Sequence, residues 1–208
     1  MTTISCLNAK GGTGKTTTAI NLAATAAYHG HNVHIFDADA EQGTASEWVA
    51  YAEDLADKDN NAHRENADLQ PVNRGILARK VKQYNQDLII IDGPPGNHST
   101  SELIIGLSDF IIIPTTCTNT DMAQTWKIID VIPEGTNYAV LPTIWDKRKK
   151  TAELARAVLE KEGIPVIWPG VENRVYFDKQ FGRWPRDTYS ELHGYPAIFE
   201  KIMEKISD

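Results

Sequence analysis

A glycine-rich segment containing lysines and threonines, residues 10–17, lies between a predicted strand and a predicted helix. Its sequence is Lys10-Gly11-Gly12-Thr13-Gly14-Lys15-Thr16-Thr17. Glycines allow successive backbone N–H groups to point inward, so that the loop forms a concave anion-binding site. The unpaired N–H groups and the positive dipole end of the following helix add to the attraction for phosphate. The segment therefore predicts a phosphate-binding loop that joins a strand to a helix.

Two side chains of the loop have distinct chemical roles in this prediction. Lys15 supplies a positive charge for the β- and γ-phosphates of a nucleotide. The hydroxyl of Thr16 is a hard oxygen ligand of the kind that Mg²⁺ prefers. We therefore expect all eight residues of the loop to contact a nucleotide that is bound together with Mg²⁺.

The loop departs from the standard pattern at one position and carries an additional lysine. Ala9 stands where the pattern has its first glycine, and Lys10 lies inside the loop. This arrangement resembles the deviant Walker A box of the ParA/MinD superfamily, and it is most similar to the small ParF-like plasmid partition ATPases. The resemblance implies that Lys10 reaches across an ATP-sandwich homodimer to the phosphates of the second subunit. The alternative, from the residue alone, is a solvated cation of the loop.

Two aspartates follow the second predicted strand, residues 33–36. Asp37 and Asp39 are separated by one residue, so their carboxylates project from the same side of the chain. The resemblance implies that Asp39 orients or activates the attacking water, and that Asp37 supports the water shell of the metal. Residues 40–42 stand where the family has Pro-Gln, which indicates one additional residue before Gln42. The alternative is a pair of solvated aspartates at the end of a strand.

A third carboxylate follows the apolar segment 88–91. An uninterrupted apolar run is typical of a strand that is covered on both faces of a parallel sheet. Asp92 at the end of this run matches the Walker B arrangement, which places a carboxylate near Mg²⁺. The sequence Gly-Pro-Pro-Gly at 93–96 is a candidate switch loop near the γ-phosphate. The predicted metal site consists of Thr16, Asp37 and Asp92. The predicted catalytic residues are Lys10, Lys15 and Asp39.

Strand-like and helix-like segments alternate along the whole chain. This alternation predicts an α/β fold with a doubly wound, mostly parallel sheet flanked by helices, in one domain over residues 1–208. The predicted strands are residues 3–7, 33–36, 68–72, 88–91, 110–113, 138–141 and 165–168. The predicted helices are residues 16–29, 44–55, 99–107, 121–132, 151–162, 172–181 and 196–206, with one more through Arg79, Lys82 and Tyr84.

Three later segments bear on the resemblance. Asp121 is interpreted either as the N-cap of the following helix or as part of a region that forms dimer contacts in the family. Residues 172–178 resemble the late arginine-containing helix of small ParA proteins. Residues 142–145 lack the Asn-Arg or Thr-Arg pair that contacts the purine in the family. The expectation of adenine, and hence of ATP and ADP, therefore comes from the resemblance.

Charge is distributed unevenly along this acidic chain, whose net charge is −7. Residues 1–140 carry 9 basic and 17 acidic side chains, whereas residues 141–208 carry 12 and 11. Two sets of cations are therefore candidates for contacts with DNA phosphates. One is the run at 147–150. The other consists of Arg174, Lys179, Arg183 and Arg186. A run of charge is otherwise the solvated face of an element.

The resemblance implies a cytoplasmic ATPase that positions a plasmid or other cargo, with nucleoid association. Such a protein dimerises on ATP, binds non-specific DNA and is stimulated by a ParB-like or other adaptor protein. Two alternatives are a MinD-like membrane-associated ATPase and a metabolic ligase of the same superfamily. The membrane alternative requires a basic amphipathic C-terminal helix, but residues 199–208 contain at least as many acids as bases. We therefore expect no membrane partner.

Overall fold

The computed structural model describes residues 1–39, 42–56, 67–146, 148–172, 174–186 and 192–207, in which six strands and eight helices form. The strands are β1 (Thr2–Cys6), β2 (Val33–Asp37), β3 (Ala67–Pro71), β4 (Leu88–Asp92), β5 (Phe110–Thr115) and β6 (Tyr138–Pro142). The helices are α1 (Lys15–Tyr28), α2 (Thr44–Ala56), α3 (Arg74–Gln83), α4 (His98–Ile105), α5 (Asn119–Ile129), α6 (Lys150–Lys161), α7 (Val175–Gln180) and α8 (Tyr195–Ser207). Five positions named in the sequence predictions lie outside the described residues: Ala40, Glu41, Lys147, Asn173 and Asp208.

The six strands form one sheet in the order β3-β2-β4-β1-β5-β6, and every described pairing is parallel. The prediction of a doubly wound, mostly parallel sheet is confirmed. The register pairs Asp92 with Cys6 of β1 on one side and with Asp37 of β2 on the other. The loops that follow β1, β2 and β4 therefore meet at one edge of the sheet, where doubly wound folds bind their ligands.

Helices cover both faces of the sheet, and each face has its own hydrophobic core. The β4 side chains alternate between the two cores, with Ile90 on one face and Ile89 and Ile91 on the other. The face of Ile90 is covered by α1, α2 and α8, and the opposite face by α3, α4, α5 and α6. Both faces are dry, which explains why β4 is an uninterrupted apolar run.

Helix α1 is buried along most of its length between the sheet and α8. Its core residues are mainly small, namely Ala19, Ala23, Ala24, Ala26 and Ala27. Small side chains allow a helix to approach its neighbours on several sides while the interior remains densely packed. A hydroxyl pair, Thr18 Oγ1 and Tyr195 Oη at 3.2 Å, joins α1 to the start of α8.

The prediction of a final strand at 165–168 is wrong. This segment makes a single bridge to β6, between Val166 and Val140, in which Ile167 donates its N–H to the Val140 carbonyl over 3.0 Å. Pro165 and Pro169 flank the segment, and a proline has no N–H to extend a ladder. Most of the other elements begin and end within a few residues of their predicted bounds. Among the described residues, no helix is long and apolar enough to cross a membrane.

Candidate nucleotide-binding site

The loop between β1 and α1 has the backbone of an anion-binding turn. Gly12 and Gly14 have φ values of +74° and +90°, in the left-handed region that side-chain-bearing residues rarely adopt. Gly14 is the N-cap of α1 and provides no side-chain cap for it. The first N–H groups of α1 are therefore left for a ligand, which is the condition for binding phosphate at a helix N-terminus.

Two buried polar side chains fix this loop to the rest of the sheet. Asn8 donates to the Pro114 carbonyl over 2.8 Å and accepts the Lys10 N–H over 3.0 Å. Thr143, just after β6, donates its hydroxyl to the Thr13 carbonyl over 2.8 Å. Sequence reasoning did not assign either residue to the loop, because a lone asparagine or threonine carries no spacing pattern. Both are held by contacts that only the folded chain creates.

Lys15 lies beneath the loop with its charge directed at the loop backbone. Its Nζ donates to the Lys10 carbonyl over 2.9 Å, and the residue is only 8% exposed. Burial lowers the pKa of Lys15, while the nearby carboxylates of Asp92 and Asp39 oppose that change. A nucleotide phosphate bound here would supply a further negative charge to this ammonium group.

Thr16 and Asp92 form a pair with the chemistry of a Mg²⁺ site. The Thr16 hydroxyl donates to Asp92 Oδ2 over 2.7 Å, whereas Asp92 Oδ1 is buried and has no hydrogen-bond partner among the described residues. Burial raises the pKa of Asp92 to about 7, although the Thr16 hydrogen bond acts in the opposite direction. A buried carboxylate oxygen without a partner needs a cation or a proton, so these residues fit Mg²⁺. No described group of three or more acidic, histidine or cysteine residues could cage a metal, and Mg²⁺ characteristically uses few protein ligands.

Asp37 and Asp39 occupy different environments. Asp37 is buried and its Oδ2 accepts from both the N–H and the hydroxyl of Ser46, over 2.9 and 2.6 Å. Asp37 thereby ties β2 to the first turn of α2, and its role toward the metal stays a prediction. Asp39 lines the cavity beside the loop, and its Oδ1 accepts the Gln42 N–H over 3.3 Å. The structure thus brings Asp39 and Gln42 to the phosphate side, as the hydrolysis role predicted for Asp39 requires.

The predicted switch loop at 93–96 begins in close contact with β1. Gly93 donates its N–H to the Cys6 carbonyl over 3.1 Å, and a Cβ at this position would collide with the Leu7 side chain. Pro95 reaches the cavity that also contains Asp39. Only glycine fits at the start of this loop, so the backbone can pass directly from β4 to the phosphate side.

Lys10 is paired within its own chain. Its Nζ forms an ion pair with Asp121 Oδ1, and the Thr116 hydroxyl donates to the other oxygen of the same carboxylate. The N-cap interpretation of Asp121 is wrong, because Thr118 is the N-cap of α5 and accepts the Asp121 N–H. Asp121 instead lies in the first turn of α5 and holds the lysine. The Lys10 side chain is 43% exposed, so it is partly accessible to solvent although it is paired with Asp121.

Two cavities meet at the phosphate loop. The first, about 270 Å³, is lined by polar and charged residues that include Lys15, Thr16, Asp39 and Gln42. The second, about 240 Å³, is lined on its far side by Thr143, Ile144, Arg174, Phe177 and Tyr195. Both cavities include Gly12, Gly14 and Thr17 in their walls. One compartment therefore suits phosphates and metal, and the other suits a flat, partly apolar group.

Comparison with known proteins decides the family. Residues 4–185 match the family described as "CobQ/CobB/MinD/ParA nucleotide binding domain". The chain belongs to this family. The matched residues include the whole loop, Asp37, Asp39, Asp92 and Asp121, whereas α8 lies beyond them.

Named relatives of this ParA/MinD-type domain position cellular cargo. The chain is 34% identical over 173 residues to "Maintenance of carboxysome distribution protein A" of Gloeobacter kilaueensis, covering 79% of this chain and 73% of the relative. It is 28% identical over 207 residues to "Chromosome partitioning protein ParA" of Myxococcus xanthus, covering 78% and 73%.

Solved structures agree on the fold of the ParA/MinD-type domain. The septum site-determining protein MinD of Pyrococcus horikoshii, complexed with Mg-ADP, has a TM-score of 0.75 at 18% identity, covering 97% of this chain and 95% of MinD. An ATP complex of a Cyanothece McdA variant has a TM-score of 0.71 at 21% identity, covering 100% and 96%. The predicted resemblance and ATPase class are confirmed, and the two solved structures hold Mg-ADP and ATP.

Proposed function

We propose that this ParA/MinD-type ATPase positions a cellular cargo by forming an ATP-sandwich homodimer that binds non-specific DNA and is stimulated by an adaptor protein. The observation that carries the proposal is Lys10, an additional lysine inside a phosphate loop that already has Lys15 at the standard position. The Lys10 amine is not needed within its own phosphate loop, because the Lys15 ammonium already lies beneath the loop and donates to the Lys10 carbonyl. Relatives named for carboxysome distribution and chromosome partitioning support a protein assembly or DNA as cargo. A protein with this function would be located in the cytoplasm and associated with the nucleoid.

The residues of the chain divide the work of hydrolysis as follows. The backbone N–H groups of residues 11–17 bind the phosphates, and Lys15 neutralises part of their charge. Thr16 and Asp92 would hold Mg²⁺ with Asp37 behind them, and a metal bound there would supply charge neutralisation for the phosphates. Asp39 orients a water molecule toward the γ-phosphate and accepts its proton.

The second cavity receives the base and ribose in this proposal. Phe177 and Tyr195 provide aromatic surface in its wall, and adenine offers a flat face to pack against them. Ile144 lines the same cavity with φ of +51°, which is strained for a β-branched residue. Strain of this kind is typical of positions that hold a ligand, and Ile144 would contribute apolar contact to the base where the Asn-Arg or Thr-Arg pair is missing.

Replacing Lys10 tests the sandwich. Lys10→Ala is expected to keep much of its ATP affinity as a monomer and to lose dimerisation with a non-hydrolysable ATP analogue, because a charge at the second subunit's phosphates is lost. Lys10→Gln is expected to behave alike. Light scattering measures the dimer fraction, with Lys127→Ala, an exposed cation on α5, as the control. An undiminished dimer fraction in Lys10→Ala would return Lys10 to the role of a loop cation.

Co-sedimentation tests the scaffold that the ATPase uses. We expect the protein to sediment with duplex DNA in ATP and to remain in the supernatant in ADP. Anionic liposomes serve as the comparison, because MinD-like membrane association is the competing function. Sedimentation with liposomes but not with DNA would contradict the DNA part of the proposal and support membrane association. A pull-down with ATP present would then identify the adaptor that stimulates hydrolysis.

A further inference from the structure

Helix α3 has the largest net charge of the described helices. It carries four basic residues and no acid within ten residues. These are Arg74, Arg79, Lys80 and Lys82. The acidic total of the first 140 residues hides this helix when charge is counted along the chain.

Three of the five arginines in the C-terminal third, residues 141–208, are in a different situation. Arg148 pairs with Asp146, Arg156 with Glu160 and Arg174 with Glu172, each over 2.9 Å or less. Each of these pairs neutralises its cation locally, so less charge is left for a polyanion. In the part of the chain that the structure describes, no ion pair involves a basic residue of α3. The strongest local source of positive charge therefore lies on α3.

The packing of α3 directs Arg79 and Lys82 outward and places Lys80 at the edge of the same side. Leu77 and Val81, one turn apart, are buried in the core and define the inner side of the helix. At about 100° per residue, Arg79 then points directly outward, Lys82 lies about 60° to one side of it, and the half-buried Lys80 lies about 100° to the other side. We name Arg79, Lys80 and Lys82 the α3 basic face. None of the exposed large hydrophobic residues found in the described chain belongs to α3.

Stabilisation of α3 through its helix dipole explains only some of its four basic residues. Lys80 and Lys82 lie in the last turn, where cations complement the helix dipole. Arg74 lies in the first turn, where a cation opposes the dipole, and no acid offsets it. Its Nε donates to the Ser99 carbonyl over 3.2 Å, at the start of α4. Helix α4 directly follows the switch loop, so α3 is connected to the element that senses the γ-phosphate in the proposed function.

We propose that the α3 basic face contacts the phosphate backbone of duplex DNA. This inference rests on the proposed function and assigns its DNA contacts to a surface. Charge complementarity identifies the partner, since α3 is a concentrated positive charge within residues 1–140, which otherwise carry a large acidic excess. From Arg79 to Lys82 the helix rises about 4.5 Å, between one and two phosphate steps along one strand. An ATP-bound dimer presents two such faces, which makes the affinity depend on ATP.

Two other kinds of partner fit this surface less well. A membrane-bound amphipathic helix inserts apolar side chains, but the apolar residues of α3 are in the core. A protein partner is usually anchored by aromatic or other large side chains, and the α3 basic face contains only flexible cations. A repeating phosphate backbone requires neither apolar insertion nor a fixed anchor.

Matched charge reversals test the assignment. The triple variant Arg79→Glu, Lys80→Glu and Lys82→Glu is compared with Arg148→Glu, Lys149→Glu and Lys150→Glu, which changes the charge equally. With an ATP analogue, we expect the α3 variant to bind a labelled duplex at least roughly tenfold more weakly and with a smaller salt slope. We expect the control variant to bind within about threefold of the wild type, because its α3 basic face is intact and Arg148 is already paired with Asp146. Fluorescence anisotropy across a salt series measures both quantities.

A neutral triple variant, with glutamine at the same three positions of α3, separates lost charge from lost folding. Glutamine is a good helix former, so we expect a normal circular dichroism spectrum, normal basal ATPase activity and weakened DNA binding. Loss of DNA binding in the 148–150 variant alone would overturn the α3 assignment and leave the proposed function standing. If the α3 variants lost binding to anionic vesicles and kept binding to DNA, the α3 basic face would be a membrane-binding surface and the DNA assignment would be overturned. A wild type that never binds duplex at low salt would overturn both.

Discussion

Lys15→Ala is expected to abolish nucleotide binding, with an affinity loss of roughly two to three orders of magnitude. The Lys15 ammonium is nearly enclosed and lies 2.9 Å from the Lys10 carbonyl, inside the curve of the loop. A bound triphosphate in the variant would lose the loop's fixed counter-charge while it remained desolvated. Titration with a fluorescent ATP analogue measures the loss.

Lys15→Met separates this effect from damage to the fold. Burial lowers the pKa of Lys15, so the positive charge of this side chain is energetically unfavourable when no nucleotide is bound. We expect Lys15→Met to keep the thermal midpoint of the nucleotide-free protein and to lose the rise that ATP gives to the wild type. Lys10→Ala, which retains Lys15, is expected to keep that rise. An ATP-dependent rise in Lys15→Met would show that the backbone of the loop binds phosphate without the lysine.

Asp39→Ala is expected to leave ATP bound and to slow its hydrolysis by roughly two to four orders of magnitude. Asp39 lines the phosphate-side cavity together with Lys15, whereas Asp37 is occupied by Ser46. Loss of the Asp39 carboxylate removes the group that orients water and accepts its proton, but none of the loop's phosphate donors. The dimer should therefore accumulate in ATP.

Phosphate release at saturating ATP and light scattering together measure the Asp39→Ala effect. Asp54→Asn, which removes a charge from α2 at a distance from the cavity, is the control and should hydrolyse ATP at the wild-type rate. Normal turnover in Asp39→Ala would remove Asp39 from the catalytic set, and Gln42 would then be the next residue to test in this wall of the cavity.

Local sequence patterns predicted the parts of the site that depend on neighbouring residues. The loop at 10–17 is recognisable because its glycines, Lys15 and Thr16 act at fixed spacing within one turn. The β4 strand is recognisable because burial on both faces requires an apolar run that ends at Asp92. The doubly wound, mostly parallel sheet was predicted from the alternation of strands and helices, whereas the order of its strands was not predicted.

Several features that the sequence did not predict depend on distant contacts. Lys10 and Asp121 are 111 residues apart, so no spacing rule joins them. Asn8 is tied to β5, and Thr143 to the loop, by folding alone. The charge on α3 was missed for another reason: charge was summed along the chain, whereas a surface collects only those residues that share a helix face. The prediction of a strand at 165–168 was wrong because it considered the apolar residues of the segment and not Pro165 and Pro169, which cannot donate a ladder hydrogen bond.

The central position of β1 has a consequence for the synthesis of the protein. β1 leaves the ribosome first, yet its neighbours in the sheet are β4 and β5. At translation rates of about 5–20 residues per second, β1 and its loop wait several seconds for a strand to pair with. The wait is longer for α1, which is covered by α8 near the end of the described chain. Until β4, β5 and α8 have emerged, a nascent chain therefore exposes the apolar surfaces of β1 and α1, and the phosphate loop between them lacks the elements that pack around it.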